Sequence, residues 1–199
     1  MKLCLFQGTF NPIHNAHIQV AKFAIDNGIC DRVVFIPAFK PPHKDCDDNI
    51  SSKRLDMVKI AVADLSNFEV SNIEYELKGK SYTYRTICEL YNRYKIDGKI
   101  KFLIGTDAFE KIESWYETDK LKKLVDFVVF IRENNFDKNR FEKLKREGYN
   151  YEFMPLEFLD ISSTEIRARI KRGESIKGLV PKKVEDYIIR NELYKTTVL

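Results

Sequence analysis

The sequence predicts an α/β fold with a doubly wound parallel sheet, and two features of its hydrophobic pattern support this prediction. Apolar segments of strand length alternate with longer segments whose apolar residues recur at helical spacing. Several strand-length segments, including 33–36, 102–104 and 128–131, are continuously apolar, as expected where helices cover both faces of a sheet. Parallel strands that are joined through helices take right-handed crossovers, which gives the doubly wound arrangement.

The elements follow from this pattern in chain order. Predicted strands cover residues 2–7, 32–37, 68–76, 101–105, 127–131 and 151–154. Predicted helices cover residues 14–27, 52–64, 83–95, 138–147, 163–172 and 181–192. The apolar stripes of the first four helices are Ile18, Ala21 and Ile25; Leu55, Val58 and Val62; Ile87, Leu90, Tyr91 and Tyr94; and Phe141 and Leu144.

The chain is long enough for one sizeable core, with 199 residues and a hydrophobic content of 44%. No repeat, low-complexity tract or long linker divides it. We therefore predict a single domain over residues 1–199, in which residues 161–199 form a small C-terminal helical part.

The four cysteines, Cys4, Cys30, Cys46 and Cys88, are scattered and form neither a C-x-x-C pair nor zinc-type spacing. This usage indicates a reducing compartment. The apolar run at the N-terminus is too short for a signal peptide, and no segment reaches transmembrane length. We therefore expect a cytoplasmic protein without a membrane partner.

The charge balance is mild, with a formal net charge of +4. Such a bias would suit a nucleic acid or an anionic small molecule, but a solvated lysine-rich surface explains it more simply. No nucleic-acid partner is predicted. The sequence does not determine the oligomeric state, and a homo-oligomer is compatible with it.

Ligands of doubly wound sheets bind beyond the carboxyl ends of the strands, which here selects the loops 7–14, 37–50, 105–109, 131–136 and 155–163. The first loop leads into the segment GTFNPIHNAH, residues 8–17. Asn11 is a suitable N-cap and Pro12 suits a first helical turn, so His14 and His17 should share one face of the opening turns.

A phosphate site is the preferred interpretation of the histidine pair, because a helix N-terminus attracts anions and the imidazole N–H groups add donors there. The dipole disfavours permanent protonation, so donation from neutral rings is expected as much as full charge. Two alternatives remain: a metal site, for which this segment lacks a third ligand, and a cap combined with a packed ring.

A second anion site is predicted at residues 161–167, ISSTEIR. Ser162 and Glu165 form a capping-box pattern that marks a helix start. The hydroxyls of Ser163 and Thr164 and the planar guanidinium of Arg167 suit phosphate oxygens. The alternative is an ordinary capped helix.

GTFNPIHNAH resembles the (H/T)xGH signature of the nucleotidyltransferase superfamily, and ISSTEIR resembles its C-terminal ISSTxIR motif. Between them lie PPHK, SYT, IGTDAF and SWY. Their order and spacing resemble the bacterial nicotinate-mononucleotide adenylyltransferase family over nearly the whole chain. Gln7 and Ala16 depart from the family pattern, which has glycine at both positions. The resemblance implies a Rossmann-like nucleotidyltransferase fold.

The resemblance also implies a reaction: ATP adenylylates nicotinate mononucleotide in NAD biosynthesis, giving deamido-NAD and pyrophosphate. The phosphate monoester of the acceptor has a second pKa of about 6, so it can attack directly, in line and without a covalent intermediate. Mg²⁺ bound to the nucleotide is the expected cofactor. The alternatives are another acceptor, either nicotinamide mononucleotide or phosphopantetheine, and a non-catalytic nucleotide sensor.

By the same resemblance, the catalytic residues are His14, His17 and Arg167, and no protein metal ligand is expected. The ATP-binding residues implied are Gly8, Thr9, Phe10, His14, His17, Gly105, Asp107, Ile161, Ser163, Thr164 and Arg167. The acceptor-binding residues implied are Lys44 for the phosphate, Asp107 for ribose hydroxyls, Trp115 for stacking on the pyridine ring, and Thr83 and Tyr116 for the carboxylate.

Overall fold

The computed structural model describes residues 1–41, 48–156 and 159–195. Six parallel strands form one sheet: β1 (Leu3–Gly8), β2 (Arg32–Pro37), β3 (Phe68–Val70), β4 (Ile100–Gly105), β5 (Val125–Phe130) and β6 (Tyr151–Met154). Their spatial order is β3-β2-β1-β4-β5-β6. The predicted doubly wound parallel sheet is confirmed.

Helices connect the strands: α1 (Asn15–Asp26), α2 (Asp48–Val62), α3 (Ile73–Leu77), α4 (Thr83–Arg93), α5 (Thr106–Phe109), α6 (Thr118–Leu124), α7 (Glu142–Arg146), α8 (Ser163–Lys171) and α9 (Lys182–Arg190). Two short 3₁₀ helices, Ile112–Ser114 and Lys138–Phe141, complete the set within the described ranges. None of the helices described is long and apolar enough to span a membrane.

Alternate residues of each strand serve opposite faces of the sheet, which explains why several of the strands are continuously apolar. In β1, Cys4 and Phe6 belong to a core shared with α1, α2, α8 and α9. Leu3 and Leu5 belong to a second core, shared with α4, α6 and α7. Each fully buried leucine contributes about 1.5–3 kcal/mol of transfer free energy. Both faces of the sheet therefore depend on the helices that cover them for stability. The helices α8 and α9 fall within residues 161–199.

One strand prediction, 68–76, is wrong beyond its third residue. The strand β3 ends at Val70, and Ile73–Leu77 is the helix α3. Ser71 makes the break, since its N–H donates to Phe35 O (2.9 Å) while its Oγ accepts from Ile73 N (3.3 Å). The helices α3, α5 and α6 were not predicted, because segments of four to seven residues are too short for a helical period to show.

The predicted start of the first helix is also wrong. The helix α1 begins at Asn15, with His14 in extended conformation at the N-cap position. Asn11 and Pro12, which are joined by a cis peptide bond, therefore neither belong to the helix nor cap it. Residues 9–14 form a separate loop between strand and helix, and His14 closes this loop rather than lying on a helical face.

Candidate active site

The site lies where the order of strands reverses. From the central β1 the chain moves outward through β2 and β3, then crosses to β4 on the other side of β1 and continues outward through β5 and β6. The carboxyl ends of β1 and β4, at Gly8 and Gly105, therefore flank the point where the strand order reverses, as expected of a ligand site in this topology.

The two histidines form a stacked pair at the start of α1. Their ring centroids lie 3.6 Å apart with an interplanar angle of 26°. The backbone N–H of His14 donates to Nδ1 of His17 (3.2 Å). Because this Nδ1 accepts a hydrogen bond, the proton of the neutral His17 ring lies on Nε2. The edges of Phe6 and Phe10 pack against the same ring.

His14 is buried, with only 3% of its surface exposed. Burial lowers its pKa to about 3, and the nearby charge of Arg132 acts in the same direction. His14 is therefore neutral at physiological pH and can act only through ring N–H donation or acceptance. Its buried Nδ1 has no hydrogen-bond partner among the described residues, so the pair carries an unmet polar group beside the crevice.

The lowered pKa of His14 predicts acid-dependent stability. Between about pH 3 and the ordinary pKa of 6.5, the folded protein binds fewer protons here than the unfolded chain. We expect this group to lower the free energy of unfolding by up to about 1.4 kcal/mol per pH unit as pH falls through that window. Urea denaturation across the window should show a shallower pH slope for His14→Gln than for wild type; equal slopes would contradict the assignment.

The ISSTEIR segment contacts the loop that carries the histidines. Ser163 Oγ donates to Pro12 O (2.8 Å), and Arg167 Nη1 donates to Asn11 O (2.7 Å). A second nitrogen of Arg167 contacts Thr164 Oγ1 at 3.4 Å. The two predicted anion sites are therefore one assembly, in which part of the Ser163 and Arg167 hydrogen bonding holds the loop in place.

The predicted capping box at the start of α8 is only half present. Ser162 Oγ accepts from Glu165 N (3.2 Å), as predicted. The Glu165 carboxylate does not return this bond. It pairs instead with Arg169 (3.1 Å) and Arg172 (3.1 Å), since two flexible cations on the same exposed surface compete with one backbone N–H.

A third contact to the loop at residues 9–14 comes from Tyr194, near the C-terminus. Tyr194 O–H donates to Asn11 Oδ1 (2.6 Å), so both the side chain and the backbone carbonyl of Asn11 are held. The Tyr194 ring is partly buried, and burial raises the pKa of its hydroxyl. Sequence reasoning did not select Tyr194, because its partner Asn11 is far away in the sequence.

Arg132, a second residue that was not predicted, packs beside Gly105 at the end of β4 and pairs with Asp107 in α5. Arg132 Nη1 pairs with Asp107 Oδ2 (3.3 Å), and Arg132 N donates to Thr106 Oγ1 (3.2 Å). A Cβ added at Gly105 would lie 2.7 Å from Arg132 Cδ and from Asp107 Oδ1. Only glycine lets both side chains cross the end of this strand.

An open cleft of about 400 Å³ runs beside the histidines. Its polar lining comes from His14, His17, Gln19 and Arg132. Its apolar lining comes from Ala16, Val20, Phe130, Ile131, Leu156, Leu159 and Ile161. A flat aromatic base with charged groups at one end would match this division. The Ala16 methyl, where the family pattern has glycine, faces the cleft.

Phe10 and Gly8 shape the loop from below. The Phe10 ring is buried against Phe6, His17 and Phe35, and its Cζ would lie 3.0 Å from a Cβ at Gly8. The Phe10 side chain therefore belongs to the core, and only its backbone remains for a ligand. Gly8 leaves the room that this ring occupies.

On the other side of β1, Gln7 turns away from the cleft beside the histidines. Its Oε1 accepts from Thr83 Oγ1 (2.7 Å), and its Nε2 donates to Glu74 Oε1. The Glu74 carboxylate also accepts from Thr86 Oγ1 (2.8 Å) and Phe39 N (3.1 Å). The Gln7 side chain, which stands where the family pattern has glycine, is therefore held by Thr83 and Glu74.

Glu74 is a buried carboxylate that sequence reasoning missed, because it fell within a predicted strand. Burial raises its pKa above the ordinary 4.5, and the hydrogen bonds from Ser81, Thr86, Phe39 and Gln7 oppose that rise. The network fixes Thr83 at the first turn of α4. No signal in the sequence marked Glu74, since its partners come from three separate segments.

The SYT and SWY motifs meet through Tyr82 and Tyr116, whose rings lie 4.5 Å apart. The Arg85 guanidinium lies over both rings, at 5.3 Å and 5.5 Å. Trp115 is half-buried and packs 6.1 Å from the Phe102 ring. The predicted acceptor residues Thr83, Trp115 and Tyr116 therefore lie on neighbouring segments; Lys44 lies outside the described residues.

Comparison with known proteins places this geometry in a family. A family model described as cytidylyltransferase-like matches residues 5–169. A probable nicotinate-nucleotide adenylyltransferase from Clostridium tetani is 39% identical over 202 aligned positions, covering 98% of this chain and 99% of the relative. A probable nicotinate-nucleotide adenylyltransferase from Caldicellulosiruptor saccharolyticus is 36% identical, covering 98% and 100%.

The fold agrees with a solved structure of similar name. Plasmodium falciparum nicotinic acid mononucleotide adenylyltransferase, complexed with NaAD, superposes with a TM-score of 0.77 over 97% of both chains at 23% identity. The fold and the two joined motifs define a nucleotidyltransferase. With relatives matched over nearly their full length, the chain belongs to the nicotinate-nucleotide adenylyltransferase family.

Proposed function

We propose that this chain transfers the adenylyl group of ATP to nicotinate mononucleotide, giving deamido-NAD and pyrophosphate in NAD biosynthesis. The observation that carries the proposal is the joining of His14, His17 and Arg167 around one loop at the topological switch point. The names of the full-length relatives support it, as does the NaAD bound to the Plasmodium falciparum enzyme.

The reaction needs little covalent help from the protein. The attacking phosphate is largely dianionic at neutral pH, since its second pKa is about 6. It displaces pyrophosphate directly from the α-phosphorus, so the protein must align the groups and stabilise the developing charge. In this proposal the Nε2–H of His17 and the neutral ring of His14 act on the α- and β-phosphates, with the Thr9 backbone beside them.

Arg167, Ser163 and Thr164 hold the leaving pyrophosphate in this proposal. The Arg167 guanidinium donates one hydrogen bond to Asn11 O, and other N–H groups in its plane can bind phosphate oxygens. Thr164 is exposed at the first turn of α8, where backbone N–H groups and the helix dipole also favour an anion. Ile161 and Gly105 line the route of the adenosine.

Mg²⁺ is proposed to arrive with the nucleotide. The site offers imidazoles, hydroxyls and a guanidinium, which suit phosphate oxygens rather than a hard cation. Among the described residues, no group of three or more His, Cys, Asp or Glu side chains could hold a metal ion. When bound to the phosphate oxygens, Mg²⁺ would neutralise part of their charge.

The acceptor is proposed to bind at the other side of β1. The first backbone N–H groups of α4, beginning at Thr83, are proposed to bind the carboxylate of nicotinate, because free N–H groups at a helix start favour anions. Trp115 offers a flat surface for the cationic pyridine ring, Tyr116 the backbone beside it, Asp107 the ribose contacts, and Lys44 the phosphate contact. A cytoplasmic location is part of the proposal, because Cys4, Cys30 and Cys88 are free thiols.

A coupled assay of purified protein with ATP and Mg²⁺ tests this function. Nicotinate mononucleotide, nicotinamide mononucleotide and phosphopantetheine are compared as acceptors, with pyrophosphate release as the readout. We expect the highest kcat/KM with nicotinate mononucleotide. Preference for the amide or for phosphopantetheine would assign a different acceptor, and nucleotide binding without pyrophosphate release would indicate a sensor. His17→Ala is the matched inactive control.

A further inference from the structure

We propose that Arg54 is a positioning residue of the active site. Its buried guanidinium joins the loop after β1 (residues 9–14) to the loop that begins at Ala38 after β2. The phosphates of the bound substrates supply the negative charge that balances this guanidinium. The second half of this inference rests on the proposed function. Arg54 lies in α2, outside every motif that the sequence analysis selected.

Arg54 is held by backbone carbonyls from two loops. Its Nη1 donates to Thr9 O (2.8 Å) and to Ala38 O (2.7 Å). Its Nη2 donates to Phe39 O (3.1 Å) and Ser51 Oγ (3.3 Å). Thr9 follows β1 and Ala38 follows β2, which are adjacent strands paired up to their last residues. One side chain therefore sets the spacing between the two loops.

The charge of Arg54 is the unusual part of this arrangement. The side chain is fully buried, with 0% exposure, and all four of its acceptors are neutral. Its Nε has no hydrogen-bond partner, and no carboxylate pairs with it among the described residues. An unpaired buried cation is strongly unfavourable unless something compensates for it. A hydrophobic residue of similar size would fill the same space without that penalty.

The position of Arg54 indicates what the compensating charge is. One carbonyl that Arg54 holds belongs to Thr9, in the loop that also carries His14. Another belongs to Ala38, which precedes the segment containing Lys44, the residue proposed for the acceptor's phosphate. Anionic substrates at this edge of the sheet bring negative charge close to a cation that solvent cannot screen. Binding of the triphosphate should then stabilise the arrangement of both loops together.

Lysine cannot reproduce this geometry, although it keeps the charge. A guanidinium presents several N–H groups in a rigid plane, whereas an ammonium is a single point on a flexible stem. Arg54→Lys should therefore retain the buried charge but release at least one of the two loops. Arg54→Gln keeps a short planar donor and removes the charge. Comparing the two variants therefore separates the effect of the loop spacing from the effect of the side-chain charge.

The test compares wild type, Arg54→Lys and Arg54→Gln, with Arg93→Lys as the matched control on an exposed surface. Folding is checked by circular dichroism, ATP affinity by calorimetry with a non-hydrolysable analogue, and kcat and KM by pyrophosphate release. We expect at least a tenfold loss of analogue affinity in Arg54→Gln and a smaller one in Arg54→Lys. In Arg54→Lys, kcat should fall at least tenfold. The control should match wild type.

Unchanged analogue affinity and kcat in folded Arg54 variants, with only a lower Tm, would overturn the proposal and leave a structural role. If neither variant folds, hydrogen exchange of the wild type decides: analogue binding should slow exchange of the Ala38, Phe39 and Lys40 amides, and no change there would overturn the coupling. Lack of turnover with nicotinate mononucleotide would reject the proposed function alone, because analogue affinity still measures the contribution of Arg54.

Discussion

His17→Ala is expected to lower kcat for adenylyl transfer by about 100- to 1,000-fold, because removing one well-placed donor to developing charge typically costs about 3–4 kcal/mol of barrier. The hydrogen bond from His14 N fixes the His17 ring and leaves its proton on Nε2. KM for ATP should change far less than kcat, since the donor acts mainly as charge moves to the leaving group. Steady-state kinetics of pyrophosphate release measures both constants.

Gln19→Ala is the control for this variant, because Gln19 lies on the same helix and lines the same cleft. It should keep kcat within about twofold of wild type. The His17 variant should remain folded, since the loss is one half-buried ring against Phe6 and Phe10. A folded His17→Ala protein with near-normal turnover would remove His17 from the mechanism.

Arg167→Ala is expected to lower kcat/KM by about 100-fold, and Arg167→Lys by less, because lysine keeps the charge without the planar fork. The alanine variant loses both the proposed contact to pyrophosphate and the hydrogen bond that holds Asn11 O. Initial rates at subsaturating ATP give this ratio. Arg169→Ala is the control, since Arg169 pairs with exposed Glu165 on the same helix. Equal losses in both variants would show a general effect of charge rather than a site role.

Most of the fold could be predicted from the sequence because it depends on local pattern. Apolar segments of strand length located all six strands of the described sheet, and a parallel sheet follows from their alternation with helices. The errors arose in short segments, where tertiary hydrogen bonds rather than the local apolar pattern decide the secondary structure. The helix at Ile73–Leu77 continues an apolar stretch, and only the hydrogen bonds of Ser71 end the strand before it.

The candidate site divides in the same way. His14, His17 and Arg167 could be selected because each occurs within a compact motif, and the structure brings those motifs into contact. Arg54 and Glu74 could not, because their roles come entirely from partners far away in sequence. The pKa of His14 likewise depends on tertiary burial, which no spacing reveals.

The contacts of Asn11 and Pro12 with Ser163, Arg167 and Tyr194 have a consequence for synthesis of the protein. These contacts join positions 151 to 183 residues apart. A nascent chain emerging from the ribosome can pair β1 with β2 early, yet its nucleotide loop stays unfinished until α8 and Tyr194 have emerged and docked. Nucleotide affinity is therefore acquired late, and an incomplete chain on the ribosome has no finished site with which to capture ATP.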